Sequence, residues 1–390
     1  MLKISNVLGL VVVLWAFESA AGQTAKPVWK GTIATENGVK VVKNPAEPLY
    51  GTFVFDLQED LKIGGDPNDA PSYFPKGGVL SVDDKGNLFF ADRGNVRVQM
   101  YDQAGKFVRT IGRKGQGPGE YIFSGQVFFD VDGNTCVRDA RQFVVFGKDG
   151  VFKKKILIST FLNQLMIGPG GSIVGTTQPS AAQGDPKHEL IMLDPEGKMF
   201  RTITEFKGEL AQSKKAIIIH WYSSNFAFSL LTADTFAYGF SDDYKIFVAD
   251  RTGKTVLIME KQEKPKAITA KEKALTEKEG MFAWMGISGE PDPRDIRYPD
   301  HRPYFGRFYN DDAGRLYVIR HRSILEKEAP QDVDVFSKDG VYLYKMTWTS
   351  IPAAILNGAF YELREDKDTG EYTIVRSRIK NWERMKTGAE

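Results

Sequence analysis

Residues 91–112 read ADRGNVRVQMYDQAGKFVRTIG, and the reading of this stretch decides the fold. Val96, Val98 and Met100 alternate with Arg97, Gln99 and Tyr101, the period-2 pattern of a strand with two distinct faces. Asp102-Gln103-Ala104-Gly105 is a tight turn with glycine where a positive φ is needed, and Phe107 to Ile111 is the return strand. Weaker copies of the same hairpin recur downstream.

The copies are counted by their turns. The turn at Gly105 reappears at Gly150, Gly197, Gly253, Gly340 and Gly370. A second turn precedes each: Asp84-Lys85-Gly86-Asn87, Asp132-Gly133-Asn134, Pro169-Gly170-Gly171-Ser172, Thr232-Ala233-Asp234-Thr235, Asp312-Ala313-Gly314-Arg315 and Asn357-Gly358. Two registers of turns in alternating order give units of four strands, a to d, with tight a–b and c–d turns. Six such units predict an all-β, six-bladed β-propeller. Seven blades are the alternative count.

Ala91 to Gly112 resembles an NHL repeat, with a strand ending in Ala-Asp, a Gly-Asn turn, an Arg-rich strand and Asp-x-x-Gly-Lys-Phe. The whole chain resembles uncharacterised six-bladed propellers exported by bacteria, in which the loop Gly112 to Glu120 is a familiar element. The resemblance implies a fold more than an activity. NHL-like and gluconolactonase-like propellers can hold a metal in the central channel, although no such ligands match here residue by residue.

The 390 residues suit one large all-β domain, because propellers exceed the usual length of a domain as single units. The net charge of +2 supplies no global field for nucleic acid or anionic lipid. Residues 1–21 read as a signal peptide, with Lys3, an apolar run from Val7 to Phe17 and small residues at Ser19-Ala20-Ala21. That run is short for a transmembrane helix. The protein is therefore expected in the periplasm or outside the cell, as a monomer.

Residues 22–48 read as an extended lead-in, and 49–390 as the propeller. The strand around Phe53, Phe55 and Leu57, with Ile63-Gly64 echoing Ile111-Gly112, is expected to complete the last blade and so close the ring. An insertion over 261–302 separates blades four and five. Thr269-Ala270-Lys271-Glu272 has the form of a capping box and predicts a short helix with Leu275, Phe282 and Met285 on one face, serving as a rim patch or as a lid.

Cys136 is the only cysteine, so no intrachain disulfide forms, and its place inside a strand b predicts a buried structural thiol. Asp130 to Asn134 resembles part of a calcium loop but falls on a hairpin turn, and the turn reading is preferred. His188, His220, His301 and His321 show no two-ligand spacing. No catalytic residue, cofactor or metal ligand is assigned.

Function rests on loop lengths. The b–c and d–a connections share one face of the disk and carry the long segments: 112–121, 176–187, 205–224, 261–302 and 320–331. Variable loops on a rigid scaffold are where binding usually lives. Arg93, Arg141, His301, Arg302, Tyr304, Arg320, His321 and Arg322 fall on that face and are the candidate binding residues. Alternatively, Arg93 and Arg141 merely pair with Asp92 and Asp139. The preferred reading is a non-enzymatic propeller binding a glycan, peptide or protein. The alternative is a hydrolase or lyase with a divalent metal in the channel.

Overall fold

The computed structural model describes residues 27–66, 68–177, 187–207, 219–278 and 296–389. The expected signal peptide, much of the 176–187, 205–224 and 261–302 loops, and Phe282 and Met285 lie outside the described residues.

Six four-stranded antiparallel units form a six-bladed β-propeller. Blade one comprises Gly78–Val82, Leu88–Asp92, Arg97–Tyr101 and Phe107–Ile111 as strands a to d. Blade two comprises Val127–Phe129, Thr135–Asp139, Gln142–Phe146 and Phe152–Leu157. Blade three comprises Gln164–Ile167, Ile173–Thr176, Lys187–Leu193 and Met199–Lys207. Blade four comprises Phe226–Thr232, Thr235–Phe240, Lys245–Asp250 and Thr255–Lys261. Blade five comprises Phe305–Asn310, Leu316–Arg320, Gln331–Phe336 and Tyr342–Trp348. In blade six, Ala354–Leu356, Ala359–Glu365 and Tyr372–Ile379 are followed outward by Leu57–Ile63, from the other end of the chain.

The turns explain the repeated Asp-x-x-Gly. Asp102 accepts from Ala104 N–H and Lys106 N–H, both at 2.9 Å, while Gly105 takes φ of 80° and donates to Asp102 C=O. Asp194 with Gly197 and Asp250 with Gly253 repeat this arrangement. The carboxylate replaces backbone partners that the reversing chain lacks, and glycine alone enters the left-handed region at little cost. In blade one's a–b turn the capping residue is Asp83, one place before the quoted motif. Asp130 does the same in blade two, accepting from Asp132 N–H, Asn134 N–H and Asn134 Nδ2, so its oxygens serve a hairpin turn.

The core lies between blades rather than at the axis. Strand b of blade one, Leu88–Asp92, is buried along its whole length, because neighbouring blades cover both its faces. Phe89, Ala91, Val98 and Ile111 of blade one pack on Val127, Val137, Val144 and Phe146 of blade two. Cys136 sits buried in the next interface, and burial pushes its thiol up to about 12, as suits an inert packing group.

The N-terminal segment covers three outer edges in succession. Where an extended lead-in is expected, Thr32–Glu36 and Val39–Asn44 instead form a hairpin that pairs in parallel with the outer strand of blade four, making a six-stranded sheet. Val41 and Val42 are fully buried there. Leu49 N–H, Tyr50 N–H and Phe53 N–H then donate to Tyr342, Leu343 and Lys345 carbonyls along the edge of blade five. Phe53 lies against Tyr344, and Phe55 against Tyr317, Trp348, Phe360 and Trp382. These two phenylalanines therefore sit in an aromatic cluster where blades five and six meet, and the strand hydrogen-bonded into blade six begins only at Leu57. Asp60 anchors that strand through both oxygens to Arg376, at 2.8 and 2.9 Å, and to Arg378.

Candidate functional site

Of the eight residues expected on the long-loop face, six gather where blades four and five meet the insertion. Arg320 closes strand b of blade five. Its Nη1 donates to Glu263 at 3.0 Å and to Asp334 at 2.9 Å, and its Nε donates to Tyr304 C=O. Asp334 lies on strand c, with its side chain 5% exposed, and also accepts from Lys261 Nζ at 2.8 Å, Tyr244 Oη at 2.6 Å and Tyr342 Oη at 2.5 Å. Lys261 Nζ lies over the Tyr244 and Tyr342 rings and reaches Glu263 at 3.0 Å. Two cations and two carboxylates thus neutralise one another. Burial opposes ionisation of Asp334, yet Lys261 and Arg320 hold its carboxyl well below the usual range; Glu263 behaves alike. Arg320 is consequently an inter-blade fastening with little charge left to offer a ligand.

A second knot joins helix α1 (Ala270–Lys278) to the short turn Ile324–Glu326. Thr269 and Glu272 make the capping box read from the sequence: Glu272 Oε2 accepts from Thr269 N–H at 2.8 Å, and Thr269 Oγ1 accepts from Glu272 N–H at 3.2 Å. The other oxygen of Glu272 accepts from Tyr222 Oη and from Ser323 Oγ at 2.5 Å, with Arg302 Nη1 at 3.6 Å. Burial raises the Glu272 carboxyl, but these donors offset it and hold the group at about 2.

His321 stacks edge-on against Tyr222, and burial together with Arg302 lowers its imidazole to about 4, so it is neutral near pH 7. Nδ1 of His321 and Nε and Nη1 of Arg302 are buried without hydrogen-bond partners. His301 faces Tyr304 and Asp242, Tyr304 packs on Tyr244, and Arg322 donates to Ala329 C=O.

Arg93 and Arg141 are placed differently. They occupy the b–c loops of blades one and two, and both are exposed. Pairing with Asp92 and Asp139 does not occur. Asp92 is taken by Asn95 and by Arg97 Nε at 2.9 Å, and Asp139 by Phe123 N–H and Gln142 Nε2. Arg93 instead lies 5.7 Å over the Phe123 ring, and Arg141 donates to Ser159 C=O at 3.3 Å. Phe123 belongs to the blade one–two crossing and Ser159 to the blade two–three crossing. Contacts run from Arg93 through Phe123 to Asp139, which lies two residues before Arg141 in the same turn, and from Arg141 to Ser159.

The neighbouring Gly112 to Glu120 loop closes on itself. Arg113–Lys114 pairs with Glu120–Tyr121, and Glu120 accepts from Arg113 Nε and Gly117 N–H. At Gly115, φ is 155° and a Cβ would lie 2.1 Å from Glu120 Oε2, so glycine is required.

Two cavities lined by described residues open on the opposite, tight-turn face. One of about 360 Å³ is a wedge between blades one and two, floored by Phe89, Met100, Ile111 and Phe129. The other, about 250 Å³, lies where the inner strands of blades one, four, five and six converge. It is lined by Asp83, Asp84, Asp311 and Asp312, but Asp83 caps its turn and Asp311 is spent on Arg315 and Tyr317. Asp312 accepts from Asn357 N–H. Among the described residues no three His, Cys, Asp or Glu side chains are grouped to hold a metal ion.

Sequence reading passed over Lys261, Glu263 and Asp334, which share no motif and meet only through blade packing, and it read Glu272 as a helix cap without its contacts to Tyr222, Ser323 and Arg302. It also passed over Ile122, Phe123, Leu157 and Phe161. Large apolar residues at and just beyond the strand ends were the signal that could have found these four.

Comparisons agree with the fold. A family model described as a 6-bladed beta-propeller matches residues 77–166. Among solved structures, a Bacteroides fragilis protein described as exported is similar at 12% identity, with a TM-score of 0.51 over 87% of this chain and 99% of that one. A Bacteroides vulgatus member of the DUF4221 family is similar at 10% identity, with a TM-score of 0.50 over 83% and 98%. No curated protein matches the sequence.

Proposed function

We propose that this protein is an exported binding propeller, and that it holds a glycan, peptide or protein partner on the long-loop face of blades one to three. The observation that carries this reading is the pair Arg93 and Arg141, two exposed guanidinium groups whose neighbouring carboxylates are already occupied. A guanidinium backed by an aromatic ring or a backbone carbonyl is oriented yet still charged, which suits recognition of a carboxylate or similar anion. Export is supported by the apolar run before Gly22 and by the description of the Bacteroides fragilis relative. No helix among the described residues is long and apolar enough to cross a membrane. The alternative of a channel metal enzyme draws no support from Asp83, Asp311 and Asp312 of the axial cavity, which are engaged in a turn, an ion pair and a backbone hydrogen bond.

Each charge-assisted contact is worth roughly 1.5–3 kcal/mol, so reversing both charges has a large expected effect. Binding to polygalacturonate and to a glutamate-rich peptide is measured for the native protein and for Arg93→Glu/Arg141→Glu. The reading predicts that binding to at least one of these probes falls by about tenfold or more with an unchanged melting curve. Equal binding by the double variant would move the site elsewhere.

A further inference from the structure

We infer that the partner is a protein segment carrying acidic and apolar side chains together, rather than a carbohydrate. This rests on the preceding reading that the long-loop face of blades one to three is the binding surface. The new observation is apolar exposure in the two crossings that flank the arginines and at the strand end that leads into the second. Ile122 is 57% exposed, Phe123 42%, Leu157 71% and Phe161 51%. Their segments are tied to the turn that carries Arg141: Phe123 N–H is held by Asp139, Ile158 N–H donates to Arg141 C=O, and Gln142 pairs with Leu157.

Large apolar residues exposed singly are common on this surface, but here four of them, three in adjacent crossings and Leu157 at the end of the strand leading into the second, flank the two arginines, and such clusters mark contact sites. Aromatic residues and arginine together, with few free carboxylates, are the composition of protein interface cores. A sugar ring stacks on flat aromatic faces and gains little from the branched side chains of Ile122 and Leu157. An apolar peptide side chain gains from all four. The charge on the patch fixes the partner's sign: Asp92, Glu120 and Asp139 are consumed internally, while Arg93, Lys114 and Arg141 are exposed and make no ion pair. The occupant is thus an acidic, apolar stretch of polypeptide.

The test uses fluorescence anisotropy with four probes on the full mature chain: a short peptide of glutamate, leucine and phenylalanine; the same peptide with glutamine for glutamate; the same with serine for the apolar residues; and polygalacturonate. The acidic, apolar peptide is expected to bind at least about tenfold more tightly than each other probe. Leu157→Asp/Phe161→Asp, both surface changes, is expected to abolish that preference without moving the melting curve. Polygalacturonate binding that depends on Arg93 and Arg141 but ignores Leu157→Asp/Phe161→Asp would overturn this inference and leave the binding surface standing. Absence of binding by every probe even at millimolar concentration would overturn both.

Discussion

Asp334→Leu is expected to destabilise the protein by about 3–5 kcal/mol, the cost of breaking a buried ion pair from one side. Lys261 and Arg320 would then share Glu263 alone, and the Tyr244 and Tyr342 hydroxyls would lose their acceptor. Replacing Lys261, Glu263, Arg320 and Asp334 together by apolar residues of similar volume should cost much less, because no charge is stranded. Urea denaturation checks both, through a shifted midpoint at constant slope. A loss under about 1 kcal/mol for Asp334→Leu would place it among exposed pairs and refute the fastening role. The network also sets a pH dependence. Glu263 and Asp334 titrate at about 2 in the folded chain, below their ordinary values of 4.5 and 3.8. Their stabilisation is complete above those ordinary values and is lost as pH falls through about 2.

Removal of residues 27–63 should have a still larger effect. That segment supplies the outer strand of blade six, the hydrogen bonds along the edge of blade five and the parallel hairpin on blade four. Without it three consecutive blades present unpaired backbone edges, which invite association. Size-exclusion chromatography should find aggregates, and urea should give no cooperative transition. A synthetic peptide spanning residues 52–63 should restore part of the monomer. A truncated chain that stays monomeric with the native denaturation curve would show that the ring closes without this segment.

Much of this architecture was legible in the sequence, for a local reason. Each Asp-x-x-Gly turn solves its own hydrogen bonding within a few residues, so turn spacing reports blade number without knowledge of tertiary contacts. The capping box at Thr269 was legible on the same ground. Segments whose partners lie far along the chain were harder to read. Val39–Asn44 looks like any short apolar run until blade four is present to receive it. Phe53 and Phe55 alternate as a strand does, yet their rings find Tyr344 and Trp348 of blade five.

The candidate site divides along the same line. That Arg320 and Arg93 share one face follows from topology. That Arg320 is neutralised by Asp334 and Glu263 whereas Arg93 rests on a phenylalanine depends on packing across blades. Arg302 and His321 were read as loop residues open to a ligand. In the folded chain Glu272, at the start of helix α1, lies 3.6 Å from Arg302 Nη1, and nitrogens of Arg302 and His321 are buried without hydrogen bonds.

Hydrogen exchange of the protein, free and saturated with the acidic, apolar peptide, tests the central claim most directly. The account predicts slowed exchange confined to the loops around Arg93, Ile122–Phe123, Arg141 and Leu157–Phe161, with blade five and the tight-turn face unchanged. Protection centred on His301 to Arg322 or on the axial cavity, with the loops of blades one to three unaffected, would contradict it.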